Sequence, residues 1–155
     1  MTGTPIIDRA TPGDLDDILA LLRRSHLPVD GFADHLPTAV VARIDGRIVG
    51  SAALEVYADG ALLRSVAVDA GFRGRGIGAA LTTAAIQLAE QARTPAVFLL
   101  TTTAEHYFPR NGFTRIGRSA VPSGVRGSVE FTSACPSSAI VMQLRLDRET
   151  RSSPS

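Results

Sequence analysis

The chain has 155 residues, 45% of them hydrophobic, with a mean hydropathy of +0.14 and a formal net charge of +1 at pH 7. That length and apolar content suit one domain with a buried core, and the small charge excludes bulk electrostatics as a means of holding nucleic acid or a membrane. A single cysteine, Cys135, excludes an internal disulfide framework and a cysteine-based zinc site.

Residues 5–10 read as a first strand. Thr11, Pro12 and Asp14 then supply an N-cap, a first-turn proline and an early acid for a helix. Within it Leu15, Ile18, Leu19 and Leu22 fall on one face, which predicts packing on a sheet. Residues 26–37 carry proline, glycine, aspartate and two histidines, and read as a loop with room for one short helical turn. Strands over 39–44 and 47–56 flank Asp45-Gly46, a type I′ hairpin signal. A second turn at Ala58-Asp59-Gly60 returns the chain into a strand over 61–68, giving an antiparallel meander. A helix over 77–91 should bury Ile77, Leu81, Ala84, Ala85 and Leu88. Residues 96–100 are short and apolar enough for an interior strand. Thr102 and Glu105 have the spacing of a capping box for a short helix ended by Pro109 and Asn111-Gly112. Strands over 114–116 and 139–146 follow. The expected organisation is one domain over 1–147 with a polar tail over 148–155. No apolar run reaches membrane length and no charged-then-apolar leader is present, so the expected location is the cytoplasm.

Arg73-Gly74-Arg75-Gly76-Ile77-Gly78 joins the third strand of the meander to the long helix. Glycines at a helix start expose backbone N–H groups where the macrodipole favours anions, a device for holding phosphate. Gly71 and Gly76 have P-loop spacing, but Ile77 and Gly78 follow where that loop needs Lys and Ser/Thr. Gly74, Gly76 and Ala79 match a dinucleotide fingerprint, which also needs an acid about twenty residues on; residues 95–100 contain none. A turn without a ligand is the remaining reading of the residues alone.

The same run resembles the phosphate loop of the GNAT superfamily of acyl-CoA-dependent N-acetyltransferases, Gln/Arg-x-x-Gly-x-Gly/Ala, through Arg73, Gly76 and Gly78. Asn111-Gly112-Phe113 is similar to the Gly-Phe that follows the next helix of that superfamily, and the order of elements is that of its fold. The resemblance implies an α/β (α+β) architecture, a mixed and mostly antiparallel sheet of about six or seven strands flanked by about four helices. Residues 62–68, 99–104 and 130–139 look like the small acetyltransferases found with bacterial arsenic-resistance genes. Leu100-Thr101-Thr102, Phe108 and Gly112-Phe113 are also similar to the acetyltransferase domain of N-acetylglutamate synthases.

What these resemblances imply is an acetyl-CoA donor, no metal, a small amino-acid-like amine or toxic analogue as acceptor, and direct transfer in a ternary complex. Arsenic resistance is the implied context, and glutamate acetylation for arginine biosynthesis or a non-catalytic acyl-CoA sensor are the alternatives. A homodimer is a family expectation. The pyrophosphate would lie on the N–H groups of Arg73, Gly74, Gly76, Gly78 and Ala79, with the Arg73 or Arg75 guanidinium adding charge. Val66 and Val68 would pair with the pantetheine arm, and Val66 N–H would hold the acetyl oxygen.

The acid common in the superfamily falls at Leu62, so Glu55 is the candidate base; a carboxylate ending a strand near solvent is the competing reading. Arg64 lies two residues before Val66, and strand alternation predicts one face for both, where Arg64 would clamp an acceptor carboxylate. A structural ion pair is the other account of Arg64. Thr101 takes the place of an Asn common after the splayed strand, with Thr102 beside it. Phe108 stands where the superfamily carries its acid Tyr, so Tyr107 or solvent would protonate the thiolate. His26, His35 and His106 match no zinc motif. Cys135 reads as packing or as a reactive thiol.

Overall fold

In the computed structural model, described over residues 4–101, 112–128 and 139–146, Thr11 ends the strand β1 (Ile6–Arg9) and turns the chain into a helix. Its backbone N–H and its hydroxyl both donate to Asp14 Oδ2, at 2.8 and 3.1 Å. The entry winds as a 3-10 turn, Pro12–Asp14, before α1 (Leu15–Arg24). Ile18, Leu21 and Leu22 are buried and Leu15 and Leu19 partly so; Leu21 widens the apolar face expected from the sequence. The following loop contains a longer 3-10 segment than expected, Phe32–Thr38, because Phe32 anchors it in the core at 0% exposure.

β2 (Ala39–Ile44), β3 (Arg47–Tyr57) and β4 (Gly60–Val68) form the meander. Asp45 and Gly46 have φ of 53° and 79°, as a type I′ turn requires. α2 (Ile77–Gln91) and β5 (Ala96–Thr101) follow, then β6 (Thr114–Ile116), α3 (Ser123–Arg126) and β7 (Ile140–Arg145). The 3-10 turn Arg118–Ala120 and α3 were not foreseen, since segments of three and four residues carry no helical period. The helix expected after Thr102, with His106, Tyr107 and Phe108, lies outside the described residues, as do Cys135 and the C-terminal tail.

The sheet has seven strands in the order β1-β2-β3-β4-β5-β7-β6, antiparallel except where β4 meets β5. One apolar cluster lies between the sheet and α2, with Leu54, Leu63, Ile77, Leu81 and Leu99. On the other face α1 and Phe32 pack on Val41 and Ala53, and farther along Val125 of α3 packs on Leu62, Phe98 and Val141. Each such fully buried side chain contributes about 1.5–3 kcal/mol. Gly50 lets α2 approach β3 closely: a Cβ there would meet Leu81 Cδ1 at 2.8 Å and Ala67 O at 3.1 Å.

Two irregularities of β4 position the site. Its parallel pairing with β5 spans Ala61↔Val97, Leu62↔Phe98 and Leu63↔Leu99, after which the two strands part. Beyond Leu63 the β5-facing edge of β4 has no strand partner among the described residues. The second irregularity is a bulge. From Ser51↔Ala67 to Ala53↔Arg64, β3 advances two residues while β4 advances three, and Ser65 takes a left-handed φ of 61°. Val66 consequently packs on the α2 side with Leu63, whereas Arg64 reaches Phe32 on the α1 side. The expectation of one face for Arg64 and Val66 is therefore corrected: the extra residue shifts the alternation between them.

Candidate active site

Where β4 ends, Asp69 holds the turn, its carboxylate accepting from Ala70 N–H at 3.0 Å and from Arg24 and Arg47 at 3.2 Å each. After the 3-10 turn Ala70–Phe72, Gly74 and Gly76 take φ of 82° and 79°, and nothing lies within 4 Å of where a Cβ would stand on either. Left-handed glycines with open space before them leave the backbone approachable. No side chain caps α2, and the Ala80 N–H donates to Gly76 O at 3.1 Å. The N–H groups of Ile77, Gly78 and Ala79 precede that bond, so they lack intrahelical acceptors and point outward at the positive end of the dipole. Arg73 Nε donates to Val68 O at 3.0 Å, and the Arg75 and Arg47 guanidinium groups lie 5.2 and 6.0 Å from the Phe72 ring centre. The predicted donor residues Val66, Val68, Arg73, Gly74, Arg75, Gly76, Gly78 and Ala79 are thus gathered along the open end of β4 and the start of α2.

On the opposite face a charged cluster sits between the apolar groups around Phe32 and Leu62. Glu55 pairs across the strands with Leu62, so its carboxylate occupies the sheet face of the residue that replaces the usual acid. Glu55 is 1% exposed. Tyr57 donates its hydroxyl to Oε1 at 2.5 Å and Arg64 donates Nη1 to Oε2 at 2.8 Å. Arg64 also donates Nε to Ser65 Oγ at 3.1 Å and Nη2 to Pro28 O at 3.4 Å. His35 Nε2 stands 3.7 Å from Glu55 Oε2, and the buried Ser128 hydroxyl is hydrogen-bonded to the same carboxylate.

Burial is the largest influence on Glu55 and raises its pKa. Hydrogen bonds from Ser128, Tyr57 and Arg64, with the charge of His35, outweigh it and hold the carboxyl below its ordinary range. Burial first, then the Glu55 bond, pushes the Tyr57 hydroxyl up to about 12. Near neutrality the cluster therefore holds a charged carboxylate against an un-ionised phenol. The two Glu55 oxygens are engaged, which lowers their appetite for a proton. Structure brings Glu55 and Arg64 together as an ion pair, the second of the two accounts open for Arg64.

Thr101 ends β5 on the far lip of the split, paired with Ile140, while Thr102 and Tyr107 lie outside the described residues. Sequence reading passed over three members of the cluster as site residues. Tyr57 had a usable signal, since two residues from Glu55 on one strand share a face. His35 and Ser128 reach the site through chain segments with no period to read.

A split sheet beside an uncapped, glycine-led helix matches known proteins. Residues 36–115, 80 of the 155, match the model of the acetyltransferase (GNAT) domain. The chain belongs to the GNAT acetyltransferase family. Over 81 residues it is 40% identical to an amino-acid acetyltransferase of Mycobacterium tuberculosis, an alignment covering 52% of this chain and 46% of that protein. Rv2747 of the same organism, solved in complex with CoA and a second ligand, superposes with a TM-score of 0.78 at 27% identity, covering 91% of this GNAT chain and 99% of that one. N-acetylglutamate synthase from Neisseria gonorrhoeae, solved with coenzyme A and N-acetyl-glutamate, shares the fold with a TM-score of 0.79 at 22% identity. That superposition covers 94% of this chain and 36% of the synthase, so the GNAT chain spans less than half of the length of two of these relatives. Among the described residues no helix is long and apolar enough to cross a membrane, and no group of three or more His, Cys, Asp or Glu could hold a metal ion.

Proposed function

We propose that this GNAT chain transfers the acetyl group of acetyl-CoA to the amine of an amino-acid-like acceptor, directly within a ternary complex. The observation that carries the reading is the placement on one strand, β4, of an open edge and of the turn that leads into the uncapped α2. Acetyl-CoA is long enough to need both. Its pyrophosphate would take the N–H groups at Gly74, Gly76, Gly78 and Ala79 with Arg73 and Arg75 nearby, and its pantetheine arm would hydrogen-bond to Val66 and Val68 as an added strand. Val66 N–H would stabilise the oxyanion, a contribution of about 3 kcal/mol or roughly a hundredfold in rate.

The acceptor would approach from the Glu55 side. Its ammonium would stand beside the Glu55 cluster, and an acceptor carboxylate would replace the 3.4 Å bond from Arg64 to Pro28 O. Thr101 and Thr102 would supply hydroxyls, and Tyr107 a proton for the departing thiolate. Glutamate is the first acceptor to test, given the likeness to an amino-acid acetyltransferase. Toxic analogues with a phosphinate or an arsenic-bearing group would suit the same guanidinium, and the arsenic-resistance context rests on residues 62–68, 99–104 and 130–139. Thiol release from acetyl-CoA across glutamate, glutamine, phosphinothricin and arsenic-bearing amino acids tests the reading, with the acetylated product identified by mass. Tight CoA binding without turnover on any amine would replace it with the sensor.

A further inference from the structure

We propose that His35 accepts the proton of the acceptor ammonium, with Glu55 as the positioning residue behind it, so that the pair works as a dyad in the acetyl transfer proposed above. The dyad rests on that reading. Glu55 is 1% exposed, and Tyr57, Arg64 and Ser128 all bond to its carboxylate, so it meets an incoming amine poorly and binds a proton weakly. The His35 side chain is 25% exposed and lies 3.7 Å from Glu55 Oε2, so it is reachable from solvent while standing beside the buried carboxylate. An imidazole nitrogen can accept a proton and pass it on, and a carboxylate beside it can orient the ring.

The backbone that carries His35 is held in place by its own segment. The Thr38 hydroxyl donates to Leu54 O at 2.6 Å, with His35 O at 3.2 Å sharing the same hydrogen, which staples the His35 turn to the strand that carries Glu55. Phe32 of the same 3-10 segment lies over the Arg64 guanidinium, 5.9 Å from its ring centre. Among the described residues, the charged and titratable groups facing the dyad are Tyr57 from β3 and Arg64 from β4. Ser128, from the turn after α3, adds a hydroxyl, and exposed Asp34 flanks His35 on its own segment.

In the step itself the ammonium gives one proton to His35, which passes it to water. The freed lone pair forms the C–N bond at the thioester carbonyl. When the intermediate collapses the C–S bond breaks, its electron pair leaves on sulfur, and the second N–H proton lost from nitrogen is balanced by protonation of the thiolate. One proton is released per turnover, beside the amide and CoA.

His35→Gln and His35→Ala, each checked for folding by thermal melting, test the dyad. The expected result is an unchanged CoA dissociation constant and a fall in kcat at pH 7 of about a hundredfold. The acid limb of the pH–rate profile should vanish in His35→Gln, because no imidazole remains to be protonated as pH falls. Added imidazole should restore rate to His35→Ala and leave the wild-type rate alone. A His35→Gln enzyme with wild-type kcat and pH profile overturns the dyad, as does a slow His35→Ala that ignores imidazole and keeps the acid limb. Absence of thiol release from the wild-type chain overturns the proposed function and the dyad with it, whereas a working wild type with an indifferent His35 overturns the dyad alone.

Discussion

Removing one member of the Glu55–Arg64 pair should destabilise the protein more than removing both. The two side chains are 1% and 0% exposed and meet at 2.8 Å. In Glu55→Gln the guanidinium keeps the neutral oxygens of Ser65 and Pro28 but loses the opposite charge, a situation that costs about 3–5 kcal/mol. In Arg64→Met the carboxylate keeps the hydroxyls of Tyr57 and Ser128, so the loss falls at the lower end, about 3 kcal/mol. The double variant leaves no buried charge of this pair and should lose only about 1–2 kcal/mol, giving a coupling of at least about 4 kcal/mol. Urea unfolding with a shared m-value measures all four corners of the cycle. Acid titration supplies a second check. The folded Glu55 carboxyl lies below its ordinary range, so its stabilisation is present above the unfolded carboxylate pKa and disappears as pH falls through the folded value; Glu55→Gln should lack that component. Single losses that sum to the double within about 0.5 kcal/mol would refute the account of the pair as mutually dependent.

Gly76→Ala places a side chain at φ 79° in open space, so it should strain the loop by about 1–2 kcal/mol and weaken CoA about tenfold by calorimetry; an unchanged dissociation constant would contradict the phosphate cradle. Gly50→Ala drives a Cβ to 2.8 Å from Leu81 Cδ1 and 3.1 Å from the Ala67 carbonyl, and should cost about 1–3 kcal/mol, read as a Tm lowered by several degrees. An unmoved Tm would mean that α2 sits less tightly on β3 than described. The Arg43 hydrogen bond, helped by Thr11, holds the Asp14 carboxyl at about 2 against an ordinary 3.8. Asp14 therefore stabilises the fold above pH 4 by about 1 kcal/mol after solvent screening, and loses this as pH falls toward 2. The gap in urea midpoint between wild type and Asp14→Asn should close over that range, and a constant gap would refute the linkage.

Local signals were enough for most of the fold. The boundaries expected for β2 and α2 match those observed because Asp45-Gly46 and Gly76 are punctuation that needs no tertiary context. The apolar run of β5 was legible as interior for a similar reason, since five consecutive apolar residues cannot present a polar face. The donor side of the site shared this legibility: its groups are backbone N–H groups whose positions follow from the glycines. The acceptor side did not, because Glu55 and Arg64 meet diagonally across two strands, and a long-range register has to exist before a diagonal neighbour does. Ser65 hid the rest, being a serine in a left-handed conformation that glycine or asparagine adopts with less strain.

The Ser65 bulge makes β4 a strand in two phases. Before it, odd-numbered residues face α2; after it, even-numbered residues do, as Leu63 and Val66 illustrate. Straightening the bulge with Ser65 retained would impose a single phase and turn Val66 and Val68 toward Phe32, moving both away from α2 without altering any residue of the glycine loop, whereas deleting Ser65 would keep both valines on the α2 side. One inserted residue thus acts as a clutch between the two halves of the strand. Substitutions before it alter the neighbourhood of Glu55, substitutions after it alter the edge beside α2, and each set can vary while the other keeps its register.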